Sequence, residues 1–151
     1  MRDGANPQQV LWELANRYSD AVTRKDAEAA SRLWAVAGTW EIGAPFSVLA
    51  TGPEEIAATL GQRISPAVFM LQSPGAAVVT DAGPERIEGR VHTQEIAHFA
   101  DRTATIIGCY DDVVIQDEGE WRYASRRFTV TAVDSSPKAW TAVAGASSGT
   151  D

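Results

Sequence analysis

The side chains in this sequence that could move a proton are few and widely spaced. Tyr18 and Asp26 stand eight positions apart, which on a continuous helix is about 12 Å along the axis and roughly 80° around it. A phenol and a carboxylate so placed border one cavity without touching, and could hold a substrate between a hydroxyl donor and a base. Each also has a structural reading: Tyr18 falls on the apolar stripe of its helix, and Asp26 could cap the next one. His92 and His98 are the two histidines. Six positions apart on one strand they share a face at about 20 Å, too far for one metal or one dyad, so at most one reaches a central pocket. His92, nearer mid-strand, is the candidate acid or base. Asp111 and Arg126 lie at mirror positions about Glu118-Gly119; if that pair is a hairpin tip, they face each other across two strands. An exposed pair of this kind contributes only about 0 to 1 kcal/mol. Turned into a pocket, Arg126 could instead orient a substrate carbonyl or carboxylate.

These groups need elements to hold them. Asn6-Pro7 reads as a helix start, with Asn6 as cap and Pro7 in the first turn, and Val10, Leu11, Leu14, Tyr18, Ala21 and Val22 recur at helical spacing to about Arg24. A second helix is predicted over Ala27 to Val36, with Ala30, Leu33 and Trp34 on one face. From Thr39 the aromatic and aliphatic residues broken by Gly43, Pro45 and Gly52 predict a short hairpin. Pro53-Glu54-Glu55 then opens a third helix carrying Ile56, Leu60 and Ile64. Five strands follow, over Ala67 to Gln72, Ala76 to Thr80, Arg86 to Phe99, Thr103 to Gln116 and Trp121 to Val133. The tight connections between them exclude crossover helices and favour antiparallel pairing. The fold class is therefore α+β, in one domain over residues 1–133, with a flexible tail from 134 to 151 that Trp140 could pin.

Hydrophobic residues make up 44% of the 151 and charged residues 22%, a globular balance. Thirteen basic against twenty acidic side chains give a net charge of −7, the wrong sign for nucleic acid or an anionic membrane. The apolar runs are far shorter than the roughly 20 residues of a membrane span, and the N-terminus lacks a secretory core, so a cytoplasmic location is expected. One cysteine, Cys109, sits in the apolar run Ile106-Ile107-Gly108 and reads as a small core residue. No zinc, phosphate-loop or dinucleotide fingerprint occurs, so neither a metal nor a cofactor is expected. Trp34, Trp40, Phe69 and Phe128 offer apolar lining for a hydrophobic ring system.

Local sequences in a fixed order carry a resemblance. Tyr18-Ser19-Asp20-Ala21 with Asp26, Arg32-Leu33-Trp34, Gly52 before the third helix, Gly108-Cys109-Tyr110-Asp111-Asp112 and Glu120 to Arg126 together resemble the SnoaL-like, nuclear-transport-factor-like superfamily. The resemblance spans about residues 8 to 133. It implies a cone-shaped α+β barrel, with helices packed on a curved, mostly antiparallel mixed sheet around an apolar pocket, and a homodimer. It also aligns Tyr18 with the hydroxyl donor of ketosteroid isomerase, Asp26 with the pocket aspartate of hexachlorocyclohexane dehydrochlorinase, and Arg126 with the latter's arginine. Two departures matter. Ile42 stands where ketosteroid isomerase has its carboxylate base, and Phe69 stands where the dehydrochlorinase and scytalone dehydratase have a histidine.

The expectation is a cofactor-independent enzyme acting on a small hydrophobic metabolite, possible chemistries being cyclisation, isomerisation or elimination, of the polyketide cyclase or lyase kind, with epoxide hydrolysis as a neighbour. Asp26 or Asp111 would supply the carboxylate, Tyr18 or Arg126 the electrophile, and His92 the alternate acid or base. The missing Asp-His pair keeps a second expectation open, a non-catalytic module that binds a small molecule or stabilises another subunit.

Overall fold

The computed structural model describes residues 4–135, 140, 141 and 143, so most of the expected tail lies outside the described residues. Helix α1 runs Pro7–Thr23, and the Asn6 side chain accepts the amide N–H groups of Gln8 and Gln9 as the cap. It buries Leu11, Leu14, Tyr18 and Val22 against the sheet. Helix α2 is only Ala27–Ser31, which corrects the helix predicted to Val36. The alanine-rich propensity yields to tertiary packing: the Trp34 ring lies between Tyr18 and Tyr123, and the Tyr123 amide donates to the Leu33 carbonyl, turning the chain into strand β1, Trp34–Ile42.

Strand β2, Val48–Thr51, folds back on β1 as the expected hairpin, with Trp40 opposite Ala50. Helix α3 spans Pro53–Ile64, its proline in the first turn and Ile56, Leu60 and Ile64 buried. Four long strands complete the fold: β3 Phe69–Ala82, β4 Arg86–His98, β5 Thr103–Asp117 and β6 Glu120–Asp134. Ser73-Pro74-Gly75 is not the turn its composition suggested. It forms an irregularity inside one continuous β3, with the register shifting between Pro74 and Ala77. A proline fits there because β3 is an edge strand, where a missing N–H breaks no ladder.

The six strands are ordered β2-β1-β6-β5-β4-β3, with β1 parallel to β6 and every other pair antiparallel. This is the expected α+β mixed sheet, and it does not close on itself. One face carries the helices and the core. In β4 the inward residues are Ile87, Gly89, Val91, Thr93 and Ala97, while His92 and Gln94 face away.

One local feature of β6 decides which charges meet. Close to the Glu118-Gly119 turn, both residues having positive φ, pairing follows the expected mirror register as far as Val114 with Tyr123. A β-bulge between Val113 and Val114 then inserts one residue. Arg126 therefore pairs with Asp112, and Asp111 pairs with Arg127. The expected pairing of Asp111 with Arg126 is overturned by this single residue, since side chains alternate in faces.

Candidate active-site cavity

A cavity of about 530 Å³ opens between α3, the inner face of the sheet and the C-terminal end of β6. Buried residues form its floor: Tyr18 from α1, Trp40 from β1, Leu60 from α3, Met70 from β3, Tyr110 from β5 and Phe128 from β6. Exposed or half-buried residues form its mouth, among them Arg63, Phe99, Asp101 and Arg102.

The polar wall comes from two adjacent strands. Gln72 of β3 and Glu95 of β4 are cross-strand partners, and the Gln72 amide donates to the Glu95 carboxylate at 3.0 Å. The orientation of Gln72 is fixed from α1. Its carbonyl oxygen accepts the Ser19 hydroxyl at 3.0 Å, and its backbone N–H donates to Thr23 Oγ1. Glu95 forms no ion pair within 4 Å among the described residues. It lines the cavity, and burial raises its pKa from the ordinary glutamate value. The Gln72 hydrogen bond and the more distant Arg63 charge offset that only in part.

Tyr18 lies in the cavity wall, and the Tyr110 hydroxyl donates to the Tyr18 oxygen at 3.4 Å. Burial holds both phenols above their usual pKa, so they stay protonated donors. Behind them lies Arg126, fully buried, its guanidinium 4.6 Å from the Tyr18 ring centre, 3.7 Å from that of Tyr110 and 4.8 Å from that of Tyr123. Arg126 donates to both Asp112 oxygens, at 2.9 and 3.4 Å. Burial works against its charge, but Asp112 and the tyrosines outweigh that and keep it protonated.

Most of the remaining expected site residues are placed elsewhere. Asp26 caps α2, accepting the Ala29 amide at 2.9 Å, and lies 3.5 Å from exposed Arg24; it is not in the cavity wall. His92 and Asp111 are exposed on the outer side of the sheet. Trp40 and Phe128 do line the cavity, whereas Trp34 lies behind Tyr18 in the core. Phe69 is on the opposite side of β3 from the cavity, stacked on His98 with ring centres 5.1 Å apart and met edge-on by Trp140. Its neighbours in the other phase, Met70 and Gln72, take the inward positions. Glu95 and Gln72 went unnoticed in the sequence. The available signal was an acidic residue in phase with Val91 and Ala97 on an alternating strand. Among the described residues, no three His, Cys, Asp or Glu side chains cluster closely enough to hold a metal.

The sequence model of the SnoaL-like domain matches residues 11–127. The chain belongs to the SnoaL-like family. No curated protein matches it in sequence. Its SnoaL-like fold is shared with a scytalone dehydratase-like protein from Novosphingobium aromaticivorans, at 15% identity and a TM-score of 0.75 over 91% of this chain and 92% of that one. A type 2 hexachlorocyclohexane dehydrochlorinase is 11% identical with a TM-score of 0.80, over 91% and 93% of the two chains. The type 3 dehydrochlorinase from Novosphingobium barchaimii is 10% identical with a TM-score of 0.74, over 91% and 90%. At such identities the likeness of this SnoaL-like chain to them is one of fold. No helix among its described residues is long and apolar enough to cross a membrane.

Proposed function

We propose that this SnoaL-like protein is a cofactor-independent enzyme that moves a proton on a small hydrophobic molecule held in the cavity, with Glu95 as the base. The observation that carries this is the Glu95 carboxylate: it lines an otherwise largely apolar cavity, is held by one neutral hydrogen bond from Gln72, and has no cation paired to it. A carboxylate tied to an arginine is a poor base, whereas one raised by burial has a proton affinity closer to that of its substrate.

Tyr18 would complete the chemistry. Its hydroxyl lies in the cavity wall beside that of Tyr110, placed to donate to an oxygen of the substrate on which negative charge develops. Arg126 acts through the tyrosines it faces, stabilising charge that spreads onto their hydroxyls. Proton removal by Glu95 and hydrogen bonding by Tyr18 suit isomerisation, cyclisation or elimination, and the dehydratase and dehydrochlorinase names of the structural neighbours point to elimination.

A second reading, a non-catalytic binding module, draws support from Asp26 and Arg126, which stand outside the cavity wall. The presence of Glu95 inside that wall favours the enzyme. The test is to load the protein with a hydrophobic metabolite extract, identify retained compounds by native mass spectrometry, and follow each for conversion by wild type and by Glu95→Gln. Conversion by wild type with retention but no conversion by the variant is expected. Undiminished conversion by the variant overturns Glu95 as the base, and retention without conversion by wild type supports the binding module.

A further inference from the structure

The cavity mouth carries two arginines in unlike states. Arg102 is satisfied locally: it pairs with Asp101 at 3.2 Å and lies over the Phe99 ring at 4.5 Å. Arg63, in the last turn of α3 between buried Leu60 and Ile64, is half-buried and lines the cavity. The Phe46 ring supports it, with the guanidinium carbon 5.2 Å from the ring centre. Among the described residues no carboxylate comes within ion-pair distance of it and no hydrogen-bond acceptor takes its N–H groups. A cation at a helix C-terminus is favourable in itself, but that role alone is equally served by a side chain turned to bulk water. Here a planar fork of donors is braced on an aromatic ring at the edge of an apolar chamber.

We infer that Arg63 receives an anionic group of the ligand at the cavity mouth, so that the molecule taken is an amphipathic acid with its apolar body on the Trp40, Met70 and Phe128 floor. This rests on the reading of the cavity as the site for a small hydrophobic molecule, and it names the class of that molecule.

Two fluorescent probes with the same ring body test it: 1-anilinonaphthalene-8-sulfonate, an anion, and N-phenyl-1-naphthylamine, its neutral counterpart. Wild type should bind the anion more tightly. Arg63→Gln should weaken the anion by about tenfold or more, the loss of one charge-assisted hydrogen bond, and leave the neutral probe within about twofold. Arg63→Lys should keep most of the preference, and Arg102→Gln should leave it intact. Unchanged neutral-probe binding shows that the variant cavity is folded. If both probes bind wild type and Arg63→Gln alters neither, or weakens both alike, the inference fails and the cavity reading stands. If neither probe binds wild type, the cavity reading fails and takes this inference with it.

Discussion

Two carboxylates point inward from neighbouring strands of this sheet, and their surroundings set them to opposite tasks. Asp112 is sealed beside Arg126 under three tyrosine rings, with both oxygens engaged by one guanidinium. Glu95 faces the cavity with only an amide to hold it. Burial raises the pKa of both, but the Asp112 charge is spoken for and that of Glu95 is available. A perturbed carboxylate is thus a candidate for chemistry only when a substrate can reach it.

The strongest way to break the comparison is to neutralise each side in turn. Glu95→Gln should lower kcat by about 10²- to 10⁴-fold, the usual worth of a positioned general base, measured on any compound that wild type converts. The folded protein should not suffer. Because Glu95 has a higher pKa folded than unfolded, the native state holds the extra proton between those values, and stability falls as pH rises through that window. The stability of the variant relative to wild type should therefore grow as pH is raised from the ordinary glutamate pKa through the Glu95 value, which thermal melts at several pH values would check.

Arg126→Met should act first on stability. It leaves Asp112 buried without a partner and should cost about 3 to 5 kcal/mol of stability, read by denaturant unfolding. The double variant Arg126→Met with Asp112→Leu should recover much of that loss, since replacing a buried pair outright is far milder than halving it.

A finer probe keeps Glu95 and removes its holder. Gln72→Met deletes the hydrogen bond that favours the ionised carboxylate. The Glu95 pKa should rise further, and since a base must be ionised to act, the acid limb of the pH–rate profile should move to higher pH. A limb that stays in place would mean that another group sets it.

How much of this was legible in the sequence follows from how local each signal is. Asn6-Pro7 and Gly52-Pro53 mark helix starts by their own backbone chemistry, and α1 and α3 begin there. Glu118-Gly119 likewise marked its turn. The short α2 was misjudged because Trp34 is held by Tyr123, which lies far along the chain. The bulge in β6 leaves no mark in hydrophobic alternation, yet it exchanges Asp111 for Asp112 as the partner of Arg126. Phe69 failed by one residue of phase. Glu95 is hidden for a different reason: a single glutamate on a strand has the look of a surface residue, and only the phase of β4, which turns His92 outward and Glu95 inward, sets it apart.

Asp26 yields the smallest expected effect and separates inherited resemblance from local geometry. Its carboxylate accepts the Ala29 amide as the α2 cap and lies near Arg24, both interactions at the surface end of a five-residue helix. Asp26→Ala should cost about 0.5 to 2 kcal/mol of stability, the range for a lost cap, while Asp26→Ser, which can still accept that amide, should restore most of it. If Asp26 acts only there, kcat follows stability across both variants and each stays far above Glu95→Gln. If instead Asp26→Ser is stable but as inactive as Glu95→Gln, the aspartate reaches the substrate by a rearrangement of the α1–α2 connection, and the base would have to be assigned to Asp26 rather than to the strand carboxylate.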